Sequence, residues 1–183
     1  MKFKKLLLNG AFIIEPEIIK DQRGSFYRVI CSNELKTIGH NESIVQVNHS
    51  INMEPGTIRG LHFQVPPKSE IKIVKCIKGA IFDVIVDIRR NSATLLKWHG
   101  ENLSEENMRI MYVPKGFAHG FQTLKPQSEL IYFTTEFYSP EYENAFRYND
   151  PELKISWPLP VSNISERDLA HPLIDKSFKG FDI

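Results

Sequence analysis

Ile71-Lys-Ile-Val-Lys-Cys-Ile-Lys78-Gly79-Ala-Ile-Phe-Asp-Val-Ile-Val-Asp-Ile88 is two apolar runs joined at a Lys-Gly pair. Strand side chains alternate between faces. In the second run that puts Phe82, Val84, Val86 and Ile88 on one face, and Ile81, Asp83, Ile85 and Asp87 on the other. A period of two filled by β-branched residues predicts strands at Ile71 to Ile77 and Ile81 to Ile88. The Lys78-Gly79 pair between them predicts a hairpin. Asp83 breaks an otherwise apolar strand, and a buried carboxylate needs a partner.

The same texture extends in both directions. Upstream, Ala11 to Ile14 is apolar, Asp21-Gln-Arg-Gly24 is a turn, and Ser25 to Cys31 is extended. Asn33 to Ile38 reads as a short helix. Ser43 to Ser50 alternates, with Ile44, Gln46, Asn48 and Ser50 on one face and Val45 and Val47 on the other. Pro55-Gly56 is a turn, and Pro66-Pro67 breaks the chain before the opening stretch. Downstream, Leu95 to Leu103, Met108 to Val113, Ala118 to Leu124 and Glu129 to Phe137 are further strands. Many short strands split by Gly and Pro predict an all-β sandwich or barrel. From Tyr138 onward, turn signals replace regular elements, and this tail is expected to wrap the sandwich. Ser165-Glu-Arg-Asp168 has the form of a helix start, with a capping serine and an acid three residues on.

At 183 residues, 42% hydrophobic and 25% charged, the chain fits one domain over 1–183 with a sizeable core. A net charge of +1 argues against a nucleic-acid surface as the main function. No apolar run approaches the length of a membrane span. Met1-Lys-Phe-Lys-Lys-Leu-Leu-Leu8 imitates a signal peptide, but the run stops at Asn9-Gly10, short of an h-region and a cleavage site. Cys31 and Cys76 lack paired spacing and read as reduced thiols of a cytoplasmic protein.

The chemistry concentrates in Gly56-Thr-Ile-Arg59-Gly60-Leu-His62-Phe-Gln64. Arginine suits an oxyanion or phosphate, and histidine carries protons near neutral pH. In a regular strand Arg59 and His62 face opposite ways; a bulge at Gly60 would bring both to one side. A second histidine, His119, ends Pro114-Lys-Gly-Phe-Ala-His119. That Pro-x-Gly-x-x-His run resembles the second metal motif of cupins, the double-stranded β-helix proteins. The first cupin motif needs two histidines and a glutamate, whereas Leu61-His62-Phe63-Gln64 offers one histidine. The ligand set is incomplete, which leaves both histidines free for proton chemistry. Asp83 is a candidate partner for a histidine. Lys72 could stabilise a developing oxyanion. Tyr132, on the face of Leu130 and Thr134, could donate a proton.

Together these motifs resemble the dTDP-4-dehydrorhamnose 3,5-epimerase family. The resemblance runs from about Ile14 to Leu173. It rests on Asp21-Gln-Arg-Gly24, Gln46-Val-Asn48, Arg59-Gly-Leu-His62, Lys72-Ile-Val, Asp83-Val-Ile-Val-Asp87, Pro114-Lys-Gly-Phe-Ala-His-Gly-Phe121, Tyr132, Asp150-Pro and Ser165-Glu-Arg-Asp168. It implies an all-β cupin jelly roll with short helical segments and an N-terminal arm. It implies His62 as general base paired with Asp168, Tyr132 as proton donor on the opposite face of the sugar, and Lys72 at the enolate oxygen. Asp83 and His119 would form a second pair near the sugar. Arg23 and Arg59 would hold the diphosphate, Gln46 and Asn48 the nucleotide, with Phe26, Tyr138, Glu143 and Arg167 also lining the substrate site. It implies a nucleotide-diphosphate-sugar substrate, a homodimer sharing each nucleotide site across its interface, no metal and no organic cofactor.

The chain departs from the family pattern at Arg28, Val47, Glu70, Ala93, Leu95-Leu96 and Arg167. None of these is His62, Lys72, Tyr132 or Asp168. The departures leave the sugar open between dTDP-4-dehydro-6-deoxyglucose and another nucleotide-linked 4-keto sugar, such as a GDP-4-keto heptose for a capsule. They leave open whether C3 alone or both C3 and C5 invert. A non-catalytic cupin that binds sugar nucleotides is the other class of reading.

Overall fold

The computed structural model describes all 183 residues, Met1–Ile183. Strands β1 (Lys2–Lys5) and β2 (Phe12–Glu15) are followed by a hairpin of β3 (Ile18–Asp21) and β4 (Gly24–Tyr27). Helix α1 (Ser32–Leu35) and a 3-10 turn lead into β5 (Gln46–Asn52) and β6 (Ile58–Gln64). Then come β7 (Lys72–Lys78), β8 (Ala80–Asp87), β9 (Trp98–Ser104), β10 (Ile110–Val113), β11 (Phe117–Thr123), β12 (Ser128–Thr134), β13 (Glu143–Ala145) and α2 (Glu166–Ala170). No helix is long and apolar enough to cross a membrane.

Two antiparallel sheets make the jelly roll expected from the sequence. One has the order β1-β2-β10-β7-β12-β5 and the other β13-β6-β11-β8-β9. Ile13, Val74, Cys76, Met111, Val113 and Leu130 of the first sheet pack between the layers against Ile81, Ile85, Leu103, Phe117 and Phe121 of the second. The alternation read in β8 is therefore correct: Ile81 and Ile85 face the interior, while Val84 and Val86 face outward.

The expected β7–β8 hairpin does not form. β7 pairs with β10 and β12, whereas β8 pairs with β11 and β9 in the other sheet. Gly79, at φ +74°, turns the chain from one layer into the other. A side chain there would meet Ser128 Oγ at 2.5 Å, and that hydroxyl instead accepts the Ala80 N–H. Alternation identifies which face of a strand is buried; it does not identify the neighbouring strand. Two shorter corrections follow the same logic. Extended pairing ends at Tyr27 rather than Cys31. β9 begins at Trp98 rather than Leu95, because Leu96 is left-handed at φ 61° and the preceding loop folds back onto Asp87.

The outer faces are covered by the ends of the chain. Phe146, Leu153 and Ile174 of the tail, with Trp157, Phe178 and Phe181, lie over Leu61, Phe63, Val84, Val86 and Ile88. On the other sheet, Leu35, Val29, Ile30, Ile38 and Ile44 cover Ile14, Ile71, Ile73 and Ile110. The β3–β4 hairpin pairs only with itself. β5 is an edge strand.

Candidate active site

Between the sheets one end of the interior opens into a cavity of ≈ 570 Å³. Arg59 and His62 from β6, and His119 and Phe121 from β11, line it on one side. Lys72 from β7 with Leu130 and Tyr132 from β12 line the other. Arg167, Asp168 and the residues just before α2 close the end, with Tyr138 and Glu143 at the rim. A second lobe of ≈ 260 Å³ shares His62, Lys72, Tyr132, Tyr138 and Glu143, and adds Gln46, Asn48 and Glu70.

The bulge expected at Gly60 is present. His119 opposes His62, yet Phe121 opposes Arg59, so β6 carries one residue more than β11 over this step. Gly60 sits at φ +130°, and a Cβ there would lie 2.5 Å from Gly120 Cα. Glycine at both positions lets the strands touch. Arg59 and His62 therefore both reach the cavity.

Each histidine is tied to its own carboxylate. His62 Nε2 lies 2.8 Å from Asp168 Oδ1. Asp168 is buried, and its other oxygen accepts the Gly60 N–H at 3.3 Å. Ser165 caps α2 by accepting the Asp168 N–H at 3.0 Å, so the predicted helix start is what holds the carboxylate in place. Burial alone would push the Asp168 carboxyl up. The hydrogen bond and charge of His62, then the Gly60 N–H, bring it below the usual carboxylate range. His119 Nε2 lies 2.8 Å from Asp83 Oδ1, which answers the question that Asp83 raised in its apolar strand.

Lys72 Nζ is 3.1 Å from Glu70 Oε1 and donates to the His62 carbonyl at 3.3 Å. Burial, and then the Glu70 charge, push the Tyr132 hydroxyl above its ordinary value, with Arg59 opposing. Arg59 Nε donates to Asn52 Oδ1 at 2.8 Å. Glu143 accepts the Tyr138 hydroxyl at 2.6 Å and pairs with Arg167. Those two partners outweigh burial and hold its carboxyl low.

Most of the residues singled out by sequence thus converge: His62, Asp168, Tyr132, Lys72, Arg59, His119, Tyr138, Glu143 and Arg167 line the main cavity, and Gln46 and Asn48 its second lobe. Asp83 stands behind His119 at zero exposure. Arg23 and Phe26 are not brought to the cavity. They lie on the β3–β4 hairpin, Arg23 bonded to Asp21 and its side chain 90% exposed. Of the departures from the family pattern, Glu70 and Arg167 reach the site. Arg28 pairs with Glu34, and Val47 points outward from β5.

Two residues went unread. Asn52, which holds Arg59, continues the Gln46, Asn48, Ser50 alternation and was findable by extending it. His171 follows α2 with its Nε2 4.0 Å from Asp168 Oδ1 and no hydrogen-bond partner. Its spacing from Asp168 carries no sequence signal. Burial, then the charge of His62, push it below the ordinary histidine value.

Comparison with known proteins follows the same lines. A family model described as dTDP-4-dehydrorhamnose 3,5-epimerase matches residues 5–176. The enzyme of that name from Pseudomonas aeruginosa is 43% identical over 170 residues, covering 92% of this chain and 93% of that one. The crystal structure of the Bacillus anthracis enzyme with TDP and PPi bound superposes with a TM-score of 0.92 at 42% identity, covering 94% of this chain and 99% of that chain. The Legionella pneumophila enzyme in complex with dTDP-4-keto-L-rhamnose gives 0.91 at 38% identity, covering 98% and 97%.

Proposed function

The chain belongs to the dTDP-4-dehydrorhamnose 3,5-epimerase family, and from that premise we propose that it epimerises C3 and C5 of dTDP-4-dehydro-6-deoxyglucose to give dTDP-4-dehydrorhamnose. The observation that carries this reading is the opposition, across one cavity, of His62 on one sheet, paired with Asp168 of α2, to Tyr132 and Lys72 on the other.

In a 4-keto sugar, C3 and C5 are both α to the carbonyl. Removing either proton moves charge onto the C4 oxygen, and inversion needs a proton returned from the opposite face. His62 takes the proton, with Asp168 orienting the ring and stabilising the imidazolium. Lys72 stabilises the oxygen as charge develops. Tyr132, kept protonated by burial and by Glu70, returns the proton from the other sheet. Arg59, held by Asn52, takes the diphosphate, and Gln46 and Asn48 serve the nucleotide. The His119–Asp83 pair hydrogen-bonds the sugar. The two free thiols, Cys31 and Cys76, are in keeping with a cytoplasmic enzyme.

The active unit in this reading is a homodimer, with Arg23 and Phe26 of one subunit completing the nucleotide site of the other. Support comes from the β3–β4 hairpin, which pairs only with itself and exposes Ile19 and Phe26, and from edge strand β5, which exposes Val47 and Ile51.

Incubation with dTDP-4-dehydro-6-deoxyglucose in heavy water tests the activity. Deuterium should enter C3 and C5, with dTDP-4-dehydrorhamnose as product. A panel with CDP- and GDP-linked 4-keto sugars should show slower exchange. No exchange with any of them would overturn the reading.

A further inference from the structure

His171 has no place in the proposed reaction. It lies outside both lobes of the cavity, yet its Nε2 is buried, unpartnered and turned toward Asp168. His62 Nε2, Asp168 Oδ1 and His171 Nε2 all lie within 4.8 Å of one another. We propose that these three atoms form a binding site for one divalent transition-metal ion of the Zn²⁺ class, and that its occupancy switches off the base.

The donor set is two imidazole nitrogens and one carboxylate oxygen, the combination that suits zinc and its first-row neighbours rather than calcium or magnesium. With metal–ligand bonds of about 2.0–2.2 Å, two ligands of a tetrahedral ion stand roughly 3.3 Å apart. Two of the three separations bracket that value, 2.8 Å from His62 to Asp168 and 4.0 Å from Asp168 to His171, and the two imidazole nitrogens lie within 4.8 Å of each other. Rotamer adjustment of the two imidazoles brings the three atoms toward it. Two elements supply the donors: β6 carries His62, while α2 and the residue after it carry Asp168 and His171. His62 and Asp168 line the main cavity, so the remaining coordination positions open toward substrate.

Inhibition follows from proton bookkeeping on His62. Bonded to Asp168 through Nε2–H, the ring leaves its Nδ1 lone pair to accept a substrate proton. A metal on Nε2 takes the lone pair there, and the displaced proton moves to Nδ1. The Nδ1-protonated ring has no free lone pair and is no longer a base. Asp168, bound to the ion, no longer stabilises an imidazolium. The site itself rests on geometry alone; the inhibitory effect rests also on His62 being the base.

The test is calorimetric titration of the purified full chain with Zn²⁺, paired with deuterium exchange at saturating substrate. One Zn²⁺ per chain should bind, and exchange should fall in proportion and return with chelator. His171→Gln should lose at least the roughly 10–100-fold in affinity that removal of even an outer partner costs a metal site. Its exchange rate relative to its own metal-free rate should no longer respond to zinc. His171→Cys should restore binding, and His49→Gln, at the exposed His49–Glu129 pair, should leave it unchanged. Co²⁺ titration of the unaltered protein gives a readout that needs no variant, with visible absorption rising to one equivalent. No stoichiometric binding, no such spectrum, or binding unaffected in His171→Gln would overturn the proposal. The metal-free exchange rate reports separately on the epimerase reading.

Discussion

His62 has one nitrogen committed to a buried carboxylate and the rest of its ring open to the cavity. That asymmetry suits it to the proposed role of base, whereas His119 is buried against a fully enclosed Asp83. His62→Asn stays polar and loses the base, so kcat for exchange at both carbons should fall by roughly 10²–10⁴-fold while the protein still folds. Exchange near the unaltered rate would remove His62 from the role. The Asp168 carboxyl is held below its usual 3.8, so its contribution to stability is present above that value and is lost as pH falls through the folded value. Tyr132 shifts the other way, above 10.0, and stays protonated throughout the neutral range. Tyr132→Phe should abolish inversion while His62 still exchanges deuterium into the sugar with retention, read by NMR. Because Glu70 is one of the causes that raise Tyr132, Glu70→Gln should move the alkaline limb of the pH–rate profile to lower pH. A limb that stays in place would mean that Tyr132 is not the group that titrates.

At the scale of the element, the site depends on one extra residue in β6. Gly60 is the pivot: a left-handed φ, a Cβ position already filled by Gly120, and an N–H given to Asp168. Gly60→Ala should cost roughly 1–3 kcal/mol from φ alone, more once the strands part, measured by denaturant unfolding. Its kcat/KM should fall by more than stability explains, because Arg59 and His62 lose their common side. This bulge was legible in the sequence, since Arg59 and His62 could share a pocket only if Gly60 broke the alternation. The Ser165 cap and the buried partner for Asp83 were legible for similar local reasons. The β7–β8 connection was not. Ile71 to Ile88 carries the same pattern whether its halves pair with each other or with strands on opposite sheets, and the choice lies with residues distant in sequence such as Ser128. His171 escaped for a related reason. Its role exists only because α2 docks against β6, a contact over more than a hundred residues of chain.

At the scale of the whole molecule, the cavity gathers the residues proposed to act on the sugar, but not all of those proposed to hold the nucleotide. Two of the residues that the family resemblance assigns to the nucleotide, Arg23 and Phe26, lie on a hairpin that pairs with neither sheet. Phe26 is 71% exposed, and edge strand β5 shows Val47 and Ile51 to solvent, with Met53 exposed just after it. An edge strand with an apolar outer face is a template for another chain. A two-fold dimer that covers both surfaces would carry each hairpin to the other subunit's cavity. Mixing two defective proteins tests this directly. Arg23→Ala should raise KM for the nucleotide sugar and leave its own His62 intact, and His62→Asn should be inactive. If the hairpin serves its own chain, co-expressing the two restores nothing beyond the sum of the parts. If it crosses, each heterodimer holds one cavity with both lesions and one with neither. Random pairing then returns about one quarter of the full complement of sites at unaltered KM. Sedimentation should show dimers throughout, and Phe26→Asp paired with Val47→Asp should shift them to monomers with the loss of nucleotide affinity seen in Arg23→Ala. Monomers that retain that affinity would place Arg23 outside the site and assign the diphosphate to Arg59 alone.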